Sequence, residues 1–209
     1  FGYGPNQWPA DLPGFREALL DYHAAMRQFG RRIFAAFALA LELDEDHFEA
    51  LITKRTRAIV VINPNNPTGA VYPRDVLEAI AHIAEKYHLV VLADEIYDGM
   101  TYDGAEFVPM ATLVQHTLCG TLSGLSKVYR ACGYRVGWVS FSGDLENARE
   151  YLSSLELLSS LRLCSNVAGQ WAVQTALGGY QSIKELVGQG GRLAESRKAI
   201  IEGVARSKY

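Results

Sequence analysis

An apolar run, Leu89-Val90-Val91-Leu92-Ala93, ends at Asp94, and Tyr97 follows three residues later. A second strand-like run over residues 117–122 leads to Lys127. A carboxylate, a phenol and an amine thus all leave the ends of apolar strands, which is where ligands collect in open α/β sheets. The carboxylate can hold a proton on a ligand, the phenol can hydrogen-bond a ligand oxygen, and the amine can attack a carbonyl carbon. That is a cofactor site in outline, and it needs elements that bring the three groups together.

Those elements are legible in the hydrophobic pattern. Residues 56–62 form a short β-branched run, as expected for a strand buried on both faces of a parallel sheet. It ends in Asn63-Pro64-Asn65-Asn66-Pro67-Thr68-Gly69, a dense turn signal. Pro73 and the spacing of Val76, Leu77, Ile80, Ile83, Ala84 and Tyr87 then predict an amphipathic helix, and residues 89–93 the next strand. Strand, helix and strand in that order make a right-handed parallel βαβ unit. Further on, Tyr102-Asp103-Gly104 reads as a turn, residues 117–122 and 136–141 as strands, and Gly143-Asp144 as a stop. From residue 145 to 207 the period is helical, with breaks at 163–166, Gly178-Gly179 and 188–191. At the other end, residues 1–10 read as loop, Asp11 and Pro13 as a helix start, residues 15–43 as helix interrupted near Gly30, and residues 47–52 as a short helix.

Composition narrows the class. Hydrophobic residues make up 49% and charged residues 21% of the 209, ordinary globular usage that argues against disorder. A net charge of -3 offers no attraction to nucleic acid or anionic membranes, so small-molecule chemistry is the expectation. Cys119, Cys132 and Cys164 are odd in number and widely spaced, which fits reduced thiols in the cytoplasm better than disulfides or zinc. The longest apolar run, residues 33–41, falls short of the roughly 20 residues a membrane span needs. Several partial motifs reduce to local structure. Tyr180 and Lys184 have a dehydrogenase-like spacing without a glycine-rich loop, Gly188–191 follows a helix rather than a strand, and Gly120-Thr121-Leu122-Ser123-Gly124 displaces its serine from the nucleophile-elbow position.

Four groups of residues together resemble the fold-type I pyridoxal phosphate aminotransferases: Asn63-Pro64-Asn65-Asn66-Pro67-Thr68-Gly69, Ala93-Asp94-Glu95-Ile96-Tyr97, Ser123-Gly124-Leu125-Ser126-Lys127 and Gly133-Tyr134-Arg135-Val136-Gly137-Trp138. They stand in the family's order and spacing, and the resemblance covers about residues 51–209. Tyr129-Arg130, Leu161-Arg162-Leu163-Cys164 and Thr175-Ala176-Leu177-Gly178-Gly179-Tyr180 are most similar to its alanine aminotransferase branch. The resemblance implies part of an α/β large domain, a mostly parallel sheet with flanking helices. It also implies transfer of an amino group between an alanine-like amino acid and a 2-oxo acid, with pyridoxal 5'-phosphate as cofactor, in a cytoplasmic homodimer.

Residue by residue, it implies that Lys127 bonds to the cofactor's aldehyde carbon and later moves the substrate's α-proton, with Arg130 and Arg135 as neighbouring cations in a dry pocket. Asp94 keeps the pyridine nitrogen protonated. Asn66 and Tyr97 hydrogen-bond the ring's phenolic oxygen, and the planar fork of Arg135 binds the phosphate. Gly124 stands where many relatives place a phosphate-binding serine, with Ser123 and Ser126 on either side.

A second resemblance concerns residues 1 to about 50. Asn6-Gln7-Trp8-Pro9, Pro13-Gly14-Phe15-Arg16 and Leu43-Asp44-Glu45-Asp46-His47-Phe48 are similar to the N-terminal helical region of isopenicillin N synthase-like iron and 2-oxoglutarate oxygenases. None of His23, His47, His82, His88 and His116 is followed two positions on by aspartate, so the iron-binding set of such enzymes is missing and no metal site is expected. The expected organisation is an all-helical segment over residues 1–52 and a partial aminotransferase large domain over 53–209, joined between residues 47 and 56. The sequence reads as a chimeric or truncated chain lacking the family's N-terminal half-site and C-terminal small domain. The competing functional classes are therefore an aminotransferase, a non-catalytic product that retains a half-site, and more remotely an oxygenase-related fragment.

Overall fold

A computed structural model describes residues 13–18, 20–21 and 45–206. The chain divides into two units, Phe1–Lys54 and Arg55–Tyr209. In the first, residues 15–18 and 20–21 are helical, and Glu45–Ala50 forms helix α1, with Phe48 buried. The expected loop over 1–10, the Asp11 cap and most of the helix over 15–43 lie outside the described residues.

The second unit is built on a four-stranded sheet of order β1-β2-β3-β4. The strands are β1 Ala58–Ile62, β2 Val90–Asp94, β3 Leu118–Gly124 and β4 Gly137–Gly143. The first three are parallel, with Ala58 opposite Val90 and Val91 opposite Cys119. The last runs antiparallel to β3, with Gly124 opposite Gly137. The crossover from β1 to β2 is helix α2, Arg74–Lys86, which buries Leu77, Ile80, Ala81, Ile83 and Ala84 and packs on β2. Pro73 precedes it, and its fixed φ suits a helix start. The crossover from β2 to β3 carries no helix but a 3-10 turn, Met110–Thr112, which packs against β3 and β4. Helices α3 Arg149–Arg162, α4 Val167–Gly178, α5 Ile183–Val187 and α6 Arg192–Arg206 follow, separated where glycine and short polar residues interrupt the period. Among the described residues no helix is long and apolar enough to cross a membrane.

One expectation is corrected. The run over 56–62 reads as a strand buried on both faces, yet Val60 is 55% exposed while Ile59 and Val61 are buried. The register explains this. Ile59, Val91, Cys119 and Ser142 form one row across the sheet, and Val61, Ala93, Thr121 and Ser140 the next, all on one face. That face is covered over β1 and β2. Val60, Leu122 and Val139 belong to the opposite face and are exposed. An uninterrupted apolar run therefore hides an alternation that only cover on one face reveals.

Candidate active site

Parallel strands bring their C-terminal ends to one side of a sheet, and an antiparallel neighbour brings its N-terminus there. Asn66 follows β1, Asp94 ends β2, Lys127 follows β3, and Arg135 precedes β4. All five predicted site residues, with Tyr97 just beyond Asp94, therefore gather at the same edge.

Three of the side chains meet directly. The Asn66 amide donates to the Tyr97 hydroxyl at 3.2 Å, and Lys127 Nζ lies 5.7 Å from the centroid of the Tyr97 ring. The other two turn elsewhere. Asp94 Oδ1 accepts the Ile96 N–H at 3.2 Å, closing its own turn, and Arg135 Nη1 donates to the Cys132 carbonyl at 2.7 Å. Lys127 is exposed rather than lodged in the dry pocket the resemblance implies.

The turn that presents Asn66 is held from below by buried amides. Asn63 is 1% exposed, and its Oδ1 accepts the Tyr72 N–H at 3.0 Å. Asn65 Oδ1 accepts from both the N–H and the hydroxyl of Thr68. Gly69 closes the turn at φ +74°, a conformation without steric cost for glycine. The sequence passes over Asn63 and Asn65 as turn residues; their signal is that they extend the alternation of β1 onto its buried face.

Around Lys127 the chain is tightly folded. Arg130 N–H bonds the Lys127 carbonyl at 3.0 Å, and Ala131 N–H bonds the Leu125 carbonyl at 2.9 Å. Arg130 and Arg135 both take left-handed backbone, φ 54° and 51°, at a cost of roughly 1–2 kcal/mol each. Gly124 has a steric reason: a Cβ there would stand 2.8 Å from the Val136 carbonyl oxygen and 3.0 Å from Gly137 Cα. A serine at this position would force β3 and β4 apart, so the close approach of the two strands excludes the contact that many relatives place there. Tyr180 donates its hydroxyl proton to Glu185 Oε1 rather than pairing with Lys184.

The most perturbed acid at this edge is one that sequence reasoning missed. Glu95 is 5% exposed, its Oε1 accepts the Met110 N–H at 2.8 Å, and burial, reinforced by the nearby charge of Asp98, pushes it up to about 7 against the opposing pull of that hydrogen bond. Burial also raises Asp98. Alternation could have found Glu95, since it continues the row of Val91 and Ala93 on the covered face.

The donor set suits pyridoxal phosphate. An amine is available for an aldehyde, a carboxylate for a ring nitrogen, a phenol joined to an amide for a phenolic oxygen, and a guanidinium just before β4 for a phosphate.

Comparison with known proteins identifies the family. The family model described as aminotransferase class I and II matches residues 22–207. Glutamate-pyruvate aminotransferase AlaA of Escherichia coli K12 is 53% identical over 154 residues, 74% of this chain and 38% of that protein. Alanine aminotransferase of Mycobacterium bovis is 51% identical over 149 residues, 71% of this chain and 35% of that one. Among solved structures, an aminotransferase from Escherichia coli superposes with a TM-score of 0.72 at 52% identity, over 74% of this chain and 38% of that chain. The alanine aminotransferase of Pyrococcus furiosus gives 0.64 at 40%, over 68% and 37%. The chain thus spans less than two fifths of the length of these relatives. The oxygenase-like resemblance of residues 1 to about 50 finds no support, and the family match begins inside that segment, at residue 22. By its motifs, its sheet and these matches, the chain belongs to the class I and II aminotransferases.

Proposed function

We propose that this chain carries the lysine-bearing side of a pyridoxal phosphate site, in an enzyme that moves an amino group between an alanine-type amino acid and a 2-oxo acid. The observation that carries the reading is the meeting of Lys127, Tyr97 and Asn66 at the sheet edge where Asp94 ends β2. The names of the most similar relatives, glutamate-pyruvate and alanine aminotransferase, support the substrate class.

Pyridoxal phosphate supplies, when bound, an aldehyde carbon and a ring that accepts electrons. Lys127 Nζ would hold the aldehyde end and would be the base that takes and returns the α-proton of the amino acid. The Asp94 carboxylate keeps a proton on the ring nitrogen, for which its position at the end of a central strand is rigid. Tyr97 Oη, already oriented by the Asn66 amide, donates to the phenolic oxygen. Arg135, released from the Cys132 carbonyl, offers its fork to the phosphate. A homodimer in the cytoplasm belongs to the same proposal, and a reducing compartment suits the free thiols Cys119, Cys132 and Cys164.

Borohydride reduction after addition of pyridoxal phosphate tests the reading. A stable adduct on the peptide containing Lys127 is expected, with none in Lys127→Ala. Well-folded wild-type chain that gives no adduct sinks the proposal.

A further inference from the structure

The strand ladder continues one residue past the ends of β1 and β2, since Asn63 N–H bonds the Asp94 carbonyl at 3.1 Å and Glu95 N–H bonds the Leu122 carbonyl at 3.0 Å. Asn63, Glu95 and Ser123 are thereby neighbours in a third row on the covered face, directly behind the row of Ile62, Asp94 and Leu122 on the other face. Asp94 and Glu95 are adjacent in sequence and point to opposite sides of the sheet. Each buried side chain at the end of a strand draws in a distant loop: Asn63 holds Tyr72, and Glu95 holds Met110.

The covered face also holds an unpaired polar atom. Among the described residues, Asn63 Nδ2 is buried there without a hydrogen bond, while the Thr121 and Ser142 hydroxyls on the same face bear on the Cys119 thiol. The titratable groups facing Glu95 are Asp98 on its own turn and Cys119 on β3. Asn63 and the Met110–Thr112 turn bring none. No cation among these groups balances an ionised Glu95, and Asp98 repels it.

We infer that Glu95 is a positioning residue of the site, anchoring the turn that carries Asp94 and Tyr97 to the Met110 turn from behind the sheet, with its neutral form holding that anchor closed. The inference rests on the site reading above but concerns a residue that touches no cofactor. The neutral acid accepts the Met110 N–H without a buried charge. The ionised acid carries a charge that water can relieve only if the turn opens locally. Order at Tyr97, and through it the hold on pyridoxal phosphate, therefore falls as pH rises through neutrality.

Two measurements on the intact chain decide it. In hydrogen exchange corrected for intrinsic rates, the Met110 amide of wild type is expected to lose protection from pH 6 to pH 8. Glu95→Gln, a neutral acceptor of the same shape, keeps protection at both, and Glu95→Ala loses it at both. In pyridoxal phosphate titrations, Glu95→Gln matches wild type at pH 6 and binds about fivefold or more tightly than wild type at pH 8, the low end of ordinary coupling between sites. Comparison at equal pH cancels the ionisation of the cofactor. Glu95→Gln tracking wild type at both pH values, or Glu95→Ala retaining Met110 protection, overturns the inference. A chain that shows the exchange pattern but takes no pyridoxal phosphate refutes the functional reading and leaves the anchor standing.

Discussion

At the scale of single residues, two adjacent acids divide the labour of this sheet edge. Asp94 faces the ligand side, half-buried, while Glu95 faces the covered side with the Met110 N–H as partner. Desolvation first, then the charge of Asp98, lifts Glu95 from 4.5 to about 7. The sign for stability follows from linkage. The folded state holds this proton more tightly than the unfolded chain, so the contribution is complete below pH 4.5 and is lost as pH rises to about 7 and beyond. The shift is worth on the order of 3 kcal/mol. Groups such as Glu85, lowered by N–H donors from Gln115 and His116, work in the opposite sense, so the informative quantity is a difference. Urea denaturation at pH 5 and pH 8 is expected to show Glu95→Gln gaining stability relative to wild type as pH rises.

At the scale of elements, the contact of β3 with β4 decides where Arg135 can stand. The antiparallel pairing of Gly124 with Gly137 returns the chain to the Lys127 edge, and Leu125 N–H bonded to the Val136 carbonyl at 3.1 Å locks the return. The approach works because position 124 has no side chain. Gly124→Ala therefore has to displace backbone rather than a flexible side-chain tip. We expect a loss of about 1–3 kcal/mol, as for overpacking elsewhere. A lower urea midpoint at unchanged slope is the expected readout, accompanied by a weaker yield of the Lys127 adduct. An unchanged midpoint shows that the two strands can part without cost.

At the scale of the molecule, the second unit has one sheet face covered over β1 and β2 and much apolar surface besides. Leu157, Leu161 and Leu163 on and just after α3 are 70%, 78% and 88% exposed, and Trp171 on α4 and Val204 on α6 are also exposed. Isolated apolar residues on a surface are ordinary, but large apolar side chains exposed at this spacing along one helix favour association. The chain studied by itself is expected to self-associate as concentration rises, seen as growing mass in light scattering. Leu161→Lys with Leu163→Lys should suppress that growth while leaving the covered sheet face and the Lys127 adduct intact. Scattering that is flat with concentration in wild type contradicts the expectation.

What the amino-acid sequence determined by itself was local. The order of the four motifs, the βαβ unit around α2, the helix breaks at 163–166, 178–179 and 188–191, and the placing of Asp94, Tyr97 and Lys127 just after apolar runs follow from residue type and spacing, because turn chemistry and helical period act over a few residues; Asn66 and Arg135 came as candidates only with the family resemblance. Only the tertiary structure decided which alternate residues of a strand face the covered side. Period-two alternation separates Val60 from Val61 and Asp94 from Glu95 without saying which side will be covered. That depended on where α2 and the Met110 turn came to rest, contacts between residues far apart in the chain. It is why the alternation that runs through Glu95, just past β2, and Asn63, just past β1, shows their buried roles only once the covered side is known.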